Sequence, residues 1–227
     1  AAATPVEPQV LEAMQPFFTE EFANPSSLYS AARTTREALT AARASVANTL
    51  GAKPTEITFT AGATESINLA IQGVMRKFPN GHIVTTTIEH EAVLETVKHY
   101  DHSIVDPADV LDSITDETVL VSVMMANNEV GTILPIKELA QGIAKIREAR
   151  TSGLPLYLHT DAAQAATALD LHVSRLGIDL LTLNGGKMYG PKQSGILYIR
   201  TGTQLEPLIY GGGQERGMRS GTEKIGR

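Results

Sequence analysis

The chain has 227 residues, of which 42% are hydrophobic, and this size predicts one folded domain that buries roughly 70% of its unfolded surface. Its net charge of −6 disfavours a nucleic-acid partner, and no apolar run approaches the ~20 residues of a membrane helix. The absence of cysteine excludes disulfides, zinc–cysteine sites and a cysteine nucleophile within these residues. Residues Ala1 to Pro5 lack the features of a signal peptide, so we expect a cytoplasmic protein.

Apolar spacing predicts helices that alternate with short strands. The predicted helices are Ser30 to Leu50, with Gly51 as its stop, Ile67 to Phe78, His90 to Tyr100, and Pro135 to Ala149. The predicted strands are Glu56 to Thr60, His82 to Ile88, Val119 to Met124, Leu156 to His159, Leu180 to Leu183, and Ile196 to Ile199. This alternation predicts an α/β fold with three layers and a mostly parallel sheet, whose ligand site lies beyond the carboxyl ends of the strands.

Lys187 lies in a glycine-rich turn, Asn184 to Gly190, directly after a predicted strand. A pyridoxal phosphate enzyme needs one lysine near the sheet, whose amine forms a Schiff base with the cofactor aldehyde. The glycines in this turn allow a close approach of the backbone. A loop lysine taken alone is most often only solvated, but the neighbours of Lys187 favour a cofactor site.

Asp161 comes at the end of the strand residues Tyr157 to Thr160. A carboxylate at this position could pair with the protonated pyridine nitrogen and keep the ring an electron sink. Asp161 with Gln164 three residues later also resembles a capping arrangement for an alanine-rich helix. The residues alone leave both interpretations open.

The segment Gly62 to Ser66 lies where a predicted strand turns into a helix. Backbone amides such as that of Ala63 would face outward with a partial positive charge, and the Thr64 hydroxyl would lie beside them. This arrangement suits the cofactor phosphate. Alternatively, Thr64 or Ser66 serves only as the N-cap of the helix.

Two further segments follow predicted strands. His90 precedes a helix, and its ring could stack on the pyridine and move protons, although a lone histidine is more often structural. An amide from the segment Asn127 to Gly131 could hydrogen-bond the phenolic oxygen of the cofactor or the substrate. Asn and Gly are also ordinary turn formers, so this segment is a weak signal by itself.

Together these segments resemble the fold-type I pyridoxal phosphate enzymes, and specifically the group I cysteine desulfurases. The matching motifs occur in order over nearly the whole chain, which argues against chance. They are Thr4 to Val6, Asn24 to Ser27, Phe59 to Ser66, Glu89 to Leu94, Asn127 to Gly131, Asp161 to Gln164, Leu183 to Lys192, and Gly211 to Thr222. The resemblance implies that residues 1–227 are the cofactor-binding large domain, with an N-terminal segment 1–15 and a glycine-rich interface loop 207–227, and without the C-terminal small domain.

The resemblance also implies a role for each candidate residue. Lys187 and His90 would be the catalytic residues, with His90 stacked on the cofactor ring. Asp161 would pair with the pyridine nitrogen, Gln164 would bond the phenolic oxygen, and Thr222 would reach the phosphate of a neighbouring subunit, which implies a homodimer. The implied cofactor-binding set is Ala63, Thr64, Asn128, Asp161, Gln164, Asn184, Gly186, Lys187 and Thr222. No metal is implied.

The activity implied by the resemblance is removal of sulfur from L-cysteine, which gives alanine and an enzyme persulfide. The sulfur would pass to an iron–sulfur scaffold or another acceptor protein. In this family the nucleophilic cysteine and the arginine that binds the substrate carboxylate lie in the C-terminal domain, so these residues alone would not accept sulfur. The alternatives are another enzyme of the fold, such as a selenocysteine lyase or an aminotransferase, and a non-catalytic scaffold subunit.

Two regions depart from the family pattern. The family usually has Ser-Gly-His-Lys where this chain has Asn184 to Lys187, so phosphate binding would depend more on backbone amides, Asn184, Thr64 and Thr222. A hydrogen bond lost there costs of order 1–3 kcal/mol. The family also has another strand near the region from Lys98 to Val105, which is short here, so we expect residues to be absent at this point.

Overall fold

The computed structural model describes residues 3–226, in which seven strands form one sheet. The strands are β1 (Ile57–Thr60), β2 (His82–Thr86), β3 (Asp101–Val105), β4 (Thr118–Ser122), β5 (Tyr157–Asp161), β6 (Leu180–Asn184) and β7 (Gly195–Ile199). Their order across the sheet is β1-β7-β6-β5-β4-β2-β3. The strands from β6 to β3 in this order are mutually parallel, and β7 runs antiparallel to both β1 and β6. The prediction of a mostly parallel sheet is therefore confirmed.

Helices cover both faces of this sheet. They are α1 (Pro8–Met14), α2 (Pro16–Thr19), α3 (Ala31–Leu50), α4 (Ala63–Lys77), α5 (Glu91–Val97), α6 (Ile136–Ala149) and α7 (Val173–Leu176). The four helices predicted from apolar spacing correspond to α3, α4, α5 and α6. Helix α3 ends directly before Gly51, as predicted. Within residues 3–226, none of the helices has both the length and the apolar character to cross a membrane.

The buried core is divided by the sheet into two clusters. Because successive side chains of a strand point to opposite faces, Leu158 and Leu181 lie in one cluster while Tyr157 and Leu180 lie in the other. The first cluster includes side chains of α3 and α6, and the second includes those of α4 and α5. The three layers expected from the sequence are therefore present.

The edge of the sheet differs from the expectation for the short region between Lys98 and Val105. The predicted helix to Tyr100 ends at Val97, and Asp101–Val105 form strand β3, which pairs in parallel with β2. The strand that the family resemblance placed in a missing segment is therefore present. A short helix and a tight turn leave enough residues for an edge strand.

Candidate active site

The strand register brings the predicted cofactor segments to one edge of the sheet. Gly195 on β7 pairs with Thr60 on one side and with Asn184 on the other side. The end of β1, which leads into α4, and the end of β6, which leads to Lys187, therefore flank the same residue. Asp161 ends β5 and pairs with Thr182 of β6, so it belongs to the same edge.

The turn that carries Lys187 is a short 3-10 helix, Gly185–Lys187, at the end of β6. Asn184 Oδ1 accepts a hydrogen bond from Gly186 N at 3.1 Å, so the asparagine side chain caps its own turn. The N-terminal segment covers this turn, because Thr4 N donates to Gly186 O at 3.0 Å and Tyr189 N donates to Thr4 Oγ1 at 2.7 Å. The Thr4 motif, whose role the sequence did not indicate, therefore holds the lysine turn in place.

Lys187 is half-buried at this edge. Among residues 3–226 its amine has no hydrogen bond and no ion pair. A lysine that is partly desolvated without a carboxylate partner is suited to covalent chemistry with an aldehyde. The structure thus places an amine without a hydrogen-bond partner among residues 3–226 next to the carboxyl ends of the strands.

Asp161 is 7% exposed, and its Oδ1 accepts a hydrogen bond from Ala163 N at 2.9 Å. Burial raises the pKa of Asp161, while the Ala163 hydrogen bond, the positive charge of Lys187 and that of a protonated His90 act to lower it. Asp161 ends β5, and Lys187 follows the end of the adjacent strand β6, an arrangement that the motifs alone could not establish.

The alternative capping interpretation of Asp161 is wrong. The alanine-rich segment 162–169 forms turns and not a helix, so no helix begins here for Asp161 and Gln164 to cap. The Asp161 side chain instead bonds the second amide after it, a local turn that its short carboxylate favours. Gln164 is half-buried in the same turn, three residues from Asp161.

His90 is exposed and is the N-cap of α5, where its Nδ1 accepts a hydrogen bond from Ala92 N at 3.0 Å. In the neutral ring this bond leaves the proton on Nε2, which is the atom free to meet a ligand. Both interpretations of His90 are therefore compatible. Its backbone position is structural, and its second nitrogen is available for chemistry.

The two neighbouring asparagines have different environments. Asn127 Nδ2 donates to Ile88 O at 3.0 Å, and its Oδ1 accepts from Glu129 N and Val130 N, so its side chain is used by the loop. Asn128 is exposed. Of the two amides, that of Asn128 is the one available to a ligand.

The N-terminus of α4 provides the anion-binding segment expected from the sequence. Its N-cap is Gly62, whose φ of 140° favours glycine, and the first intrahelical bond runs from Ser66 N to Gly62 O at 3.1 Å. The amides of residues 63–65 therefore precede the helical ladder and are open to an anion. Thr64 is exposed, and Ser66 Oγ lies 2.7 Å from Thr60 Oγ1, so neither hydroxyl caps the helix.

An ion pair ties the C-terminal glycine-rich segment to this helix end. Arg219 Nε donates to Glu65 Oε1 at 2.8 Å, and Glu65 Oε2 accepts from Ala61 N at 2.9 Å. The pair neutralises the acidic residue in the first turn and brings a guanidinium close to the amides of α4. Thr222, three residues beyond Arg219, is exposed. The roles of Arg219 and Glu65 were not evident from the sequence, although both lie within matched motifs.

Sequence reasoning also missed two buried titratable residues behind the site. His159 on β5 has Nδ1 2.8 Å from Ser122 Oγ and Nε2 3.0 Å from Thr182 Oγ1, and burial lowers its pKa to about 3. Glu89 is 6% exposed, and burial raises its pKa to about 8, with a further contribution from the charge of Asp161. The sequence shows Glu89 only as an acid directly before His90, after a predicted strand. Its burial becomes evident only in the fold.

The sequence matches known proteins over nearly its full length. Residues 1–225 match the family described as aminotransferase class-V. The chain is 43% identical to cysteine desulfurase IscS of Methanosarcina thermophila over 240 residues, covering 99% of this chain and 57% of that protein. It is 45% identical to cysteine desulfurase IscS of Clostridium botulinum strain Hall over 238 residues, covering 98% and 58%.

Solved structures agree with these sequence relatives. A structure described as SspA in complex with cysteine superposes with a TM-score of 0.92 at 39% identity and covers 99% of this chain and 67% of that one. A structure described as a NifS-like protein superposes with a TM-score of 0.93 at 37% identity and covers 99% of this chain and 64% of that one.

The alignment with the Methanosarcina relative has 240 positions, which exceeds the 227 residues of this chain. That relative therefore has positions without a counterpart here.

The chain spans less than three fifths of the length of the curated relatives described above, at 57% and 58%. The chain belongs to the aminotransferase class-V family, and its relatives within that family include cysteine desulfurases.

Proposed function

We propose that these residues form the pyridoxal phosphate-binding part of a cysteine desulfurase. The observation that carries the proposal is the position of Asp161 and Lys187 at the carboxyl ends of the adjacent parallel strands β5 and β6. Relatives named cysteine desulfurase, similar over 98–99% of this chain, support the same conclusion. Pyridoxal phosphate, when bound, supplies an electron sink for bonds next to the amino group of an amino acid.

The residues present fit this cofactor at three points. Lys187 is half-buried, and its amine has no hydrogen bond or ion pair among residues 3–226, which leaves the amine available to an aldehyde. Among the same residues no hydrogen bond reaches Asp161 Oδ2, which leaves one carboxylate oxygen for a ring N–H. The amides of residues 63–65 and the exposed Thr64 hydroxyl offer donors for a phosphate.

Each residue then has a distinct task. Asp161 places a negative charge where a protonated ring nitrogen needs one, and the positive charge of Lys187 helps it to stay ionised. His90 holds a proton at Nε2, because Nδ1 is engaged by Ala92 N, and can pass that proton to or from a substrate. We propose that Gln164 and Asn128 contact the cofactor or substrate, and that Asn184 and Gly186 shape the lysine turn.

The sulfur acceptor lies outside these residues, because the 227-residue sequence contains no cysteine. A desulfurase transfers the sulfur of L-cysteine to a thiolate, so the C–S bond breaks, a persulfide forms and alanine is released. We propose that the thiolate belongs to a further part of the full protein and that an iron–sulfur scaffold or another acceptor then takes the sulfur. A cytoplasmic homodimer, with Thr222 reaching the partner's phosphate, is part of the same proposal.

The first test concerns the cofactor and uses the 227-residue chain. Incubation with pyridoxal phosphate followed by borohydride reduction should fix the cofactor on Lys187, and peptide mass spectrometry should locate the adduct. Lys187→Ala should abolish the adduct, whereas Lys137→Ala, an exposed lysine on α6, should leave it intact. Absence of an adduct at residue 187 would favour a non-catalytic scaffold over an enzyme.

The second test concerns the reaction and uses the full-length protein. With L-cysteine and a reductant, the cofactor-loaded protein should release sulfide and alanine in equal amounts. A protein that binds the cofactor without releasing sulfide would instead be another enzyme of the same fold, such as a selenocysteine lyase or an aminotransferase. The two tests therefore separate the three functions that the sequence leaves open.

A further inference from the structure

Glu89 is a buried carboxyl for which the proposed function has no task. Its Oε1 accepts hydrogen bonds from Thr86 Oγ1 and from Met124 N, both at 2.7 Å. Its Oε2 is buried as well and has no hydrogen-bond partner among residues 3–226. Both hydrogen bonds go to the same oxygen, so an ionised Glu89 would leave a charged oxygen buried without a donor.

Glu89 lies next to Asp161 in the fold. Met124 N donates to Glu89 Oε1, and the next amide, Met125 N, donates to Asp161 O at 2.9 Å. Two consecutive peptide groups thus connect the Glu89 carboxyl with the Asp161 backbone. The negative charge of Asp161 also raises the pKa of Glu89, in addition to the larger effect of burial.

Two buried carboxyls that lie near one another do not both ionise readily, because each charge disfavours the other. The positive groups decide which one keeps the proton. The Ala163 hydrogen bond and the positive charge of Lys187 act on Asp161 and favour its charged form. The charge that acts on Glu89 is the negative one of Asp161, which favours the neutral form of Glu89.

We propose that Glu89 is a positioning residue that stays protonated beside Asp161, so that the negative charge of the carboxyl pair is held on Asp161. This inference rests on the proposed function, because that charge serves the cofactor ring nitrogen. The neutral carboxyl also links the ends of β2 and β4 through Thr86 and Met124. Replacement by the neutral, nearly isosteric glutamine should preserve those two bonds.

The test compares wild type with Glu89→Gln in the absence of cofactor. An acid whose pKa is raised by folding destabilises the folded state progressively as pH rises from its unfolded pKa to its folded pKa. Wild type should therefore lose stability relative to Glu89→Gln between about pH 4.5 and pH 8. The difference in thermal midpoint between the two proteins should grow by roughly 5–10 °C from pH 5 to pH 8.

Infrared spectroscopy provides a direct readout of the same proton. Wild type at pH 6 should show the carbonyl stretch of a protonated carboxylic acid that is missing in Glu89→Gln, and the band should fade above pH 8. Asp161→Asn should shift this loss to lower pH, because it removes the neighbouring negative charge. A Glu89 carboxyl that does not sense the charge of Asp161 would show the same titration in Asp161→Asn as in wild type.

The proposal is overturned if Glu89→Gln is less stable than wild type by the same amount at pH 5 and pH 8, or if Asp161→Asn leaves the infrared titration unchanged. With pyridoxal phosphate, Glu89→Gln should keep the lysine-bound absorbance band and a dissociation constant within about threefold of wild type, while Asp161→Asn should alter both. Failure of wild type to bind pyridoxal phosphate would reject the proposed function, whereas the cofactor-free measurements would still decide the protonation of Glu89.

Discussion

Arg43 Nη1 donates to Glu215 Oε2 and Arg43 Nη2 donates to Glu215 Oε1, both at 2.7 Å, so the two residues form a bidentate ion pair. The Arg43 side chain is 13% exposed and that of Glu215 is 4% exposed. Phe59 N also donates to Glu215 Oε2 at 3.0 Å, and the guanidinium stacks 4.7 Å from the centre of the Phe59 ring. The pair thus connects α3 and β1 with the C-terminal segment that carries Arg219 and Thr222.

Arg43→Ala should release this segment and leave the Glu215 carboxylate buried without its partner. Breaking a buried ion pair from one side costs about 3–5 kcal/mol of unfolding free energy, which urea unfolding would measure. Arg33→Ala is the matched control, because Arg33 pairs with Glu37 on the exposed surface of the same helix. That control should change stability by less than about 1 kcal/mol. Equal effects of the two variants would contradict the anchoring role of Arg43.

Gly195→Ala should disturb the proposed phosphate-binding end of α4, because residue 195 on β7 lies against Gly62. A Cβ atom at residue 195 would lie 2.5 Å from Gly62 Cα and 2.6 Å from Gly62 C, which are backbone atoms that cannot rotate away. We expect a loss of about 1–3 kcal/mol in stability and weaker binding of pyridoxal phosphate, since Gly62 is the N-cap of α4.

The control for Gly195 is Gly186→Ala. There the same methyl group meets its nearest neighbour at 3.5 Å, an ordinary van der Waals contact, so stability should stay within about 1 kcal/mol of wild type. Urea unfolding and a cofactor titration measure both quantities. Similar stability losses for the two alanine variants would mean that the close approach of residues 62 and 195 is not the reason why residue 195 must be glycine.

His159 should make the protein sensitive to acid. Burial holds its folded pKa at about 3, below the ordinary value of 6.5, so the unfolded state binds more protons between these values. Stability is therefore complete above pH 6.5 and decreases as pH falls toward 3, by about 3–5 kcal/mol in total. Unfolding in urea at pH 4 and pH 7 should show this loss in wild type and less of it in His159→Gln. His99→Gln, at an exposed position, should retain the full pH dependence of wild type.

Thr222 should act on the cofactor of the other subunit. Among residues 3–226 its hydroxyl has no hydrogen-bond partner, and the side chain is exposed. Thr222→Val should weaken pyridoxal phosphate binding about 5–30-fold, the effect of one lost hydrogen bond to a charged group. Thr167→Val, at another exposed threonine, should leave the affinity unchanged.

Mixed dimers decide whether the threonine acts across the interface. A subunit with Lys187→Ala combined with a subunit carrying Thr222→Val should form one intact site, in which the lysine and the threonine come from different chains. That dimer should bind one cofactor with wild-type affinity. Weak binding by the mixed dimer, or a monomer in sedimentation experiments, would count against the shared site.

The sequence predicts the architecture well where the pattern is regular. Helix α3 has apolar residues at helical spacing and a glycine stop, and its observed end at Leu50 agrees with the prediction. The direction of β7 was not predictable, because a short apolar strand has the same sequence pattern whether it pairs in parallel or antiparallel. Propensity also overestimated helix in the alanine-rich segment after Asp161, where the Asp161 side chain bonds Ala163 N and turns the chain.

The candidate site could be predicted only in part for a related reason. Motif spacing identifies Lys187, Asp161 and His90 as residues at strand ends, but their proximity depends on the strand order. Glu89 could not be recognised, since its role depends on burial and on Asp161, 72 positions further along the chain and on another strand. The link between Thr4 and Gly186 is similarly non-local and carries no periodic signal.

That link has a practical consequence for handling the protein. The backbone and hydroxyl of Thr4 hold Gly186 and Tyr189, on either side of Lys187 and its neighbour. An affinity tag fused directly before Thr4, or proteolysis of the residues that precede Thr4, would disturb the turn that holds the Lys187 amine. Purification tags are therefore better joined through a flexible spacer.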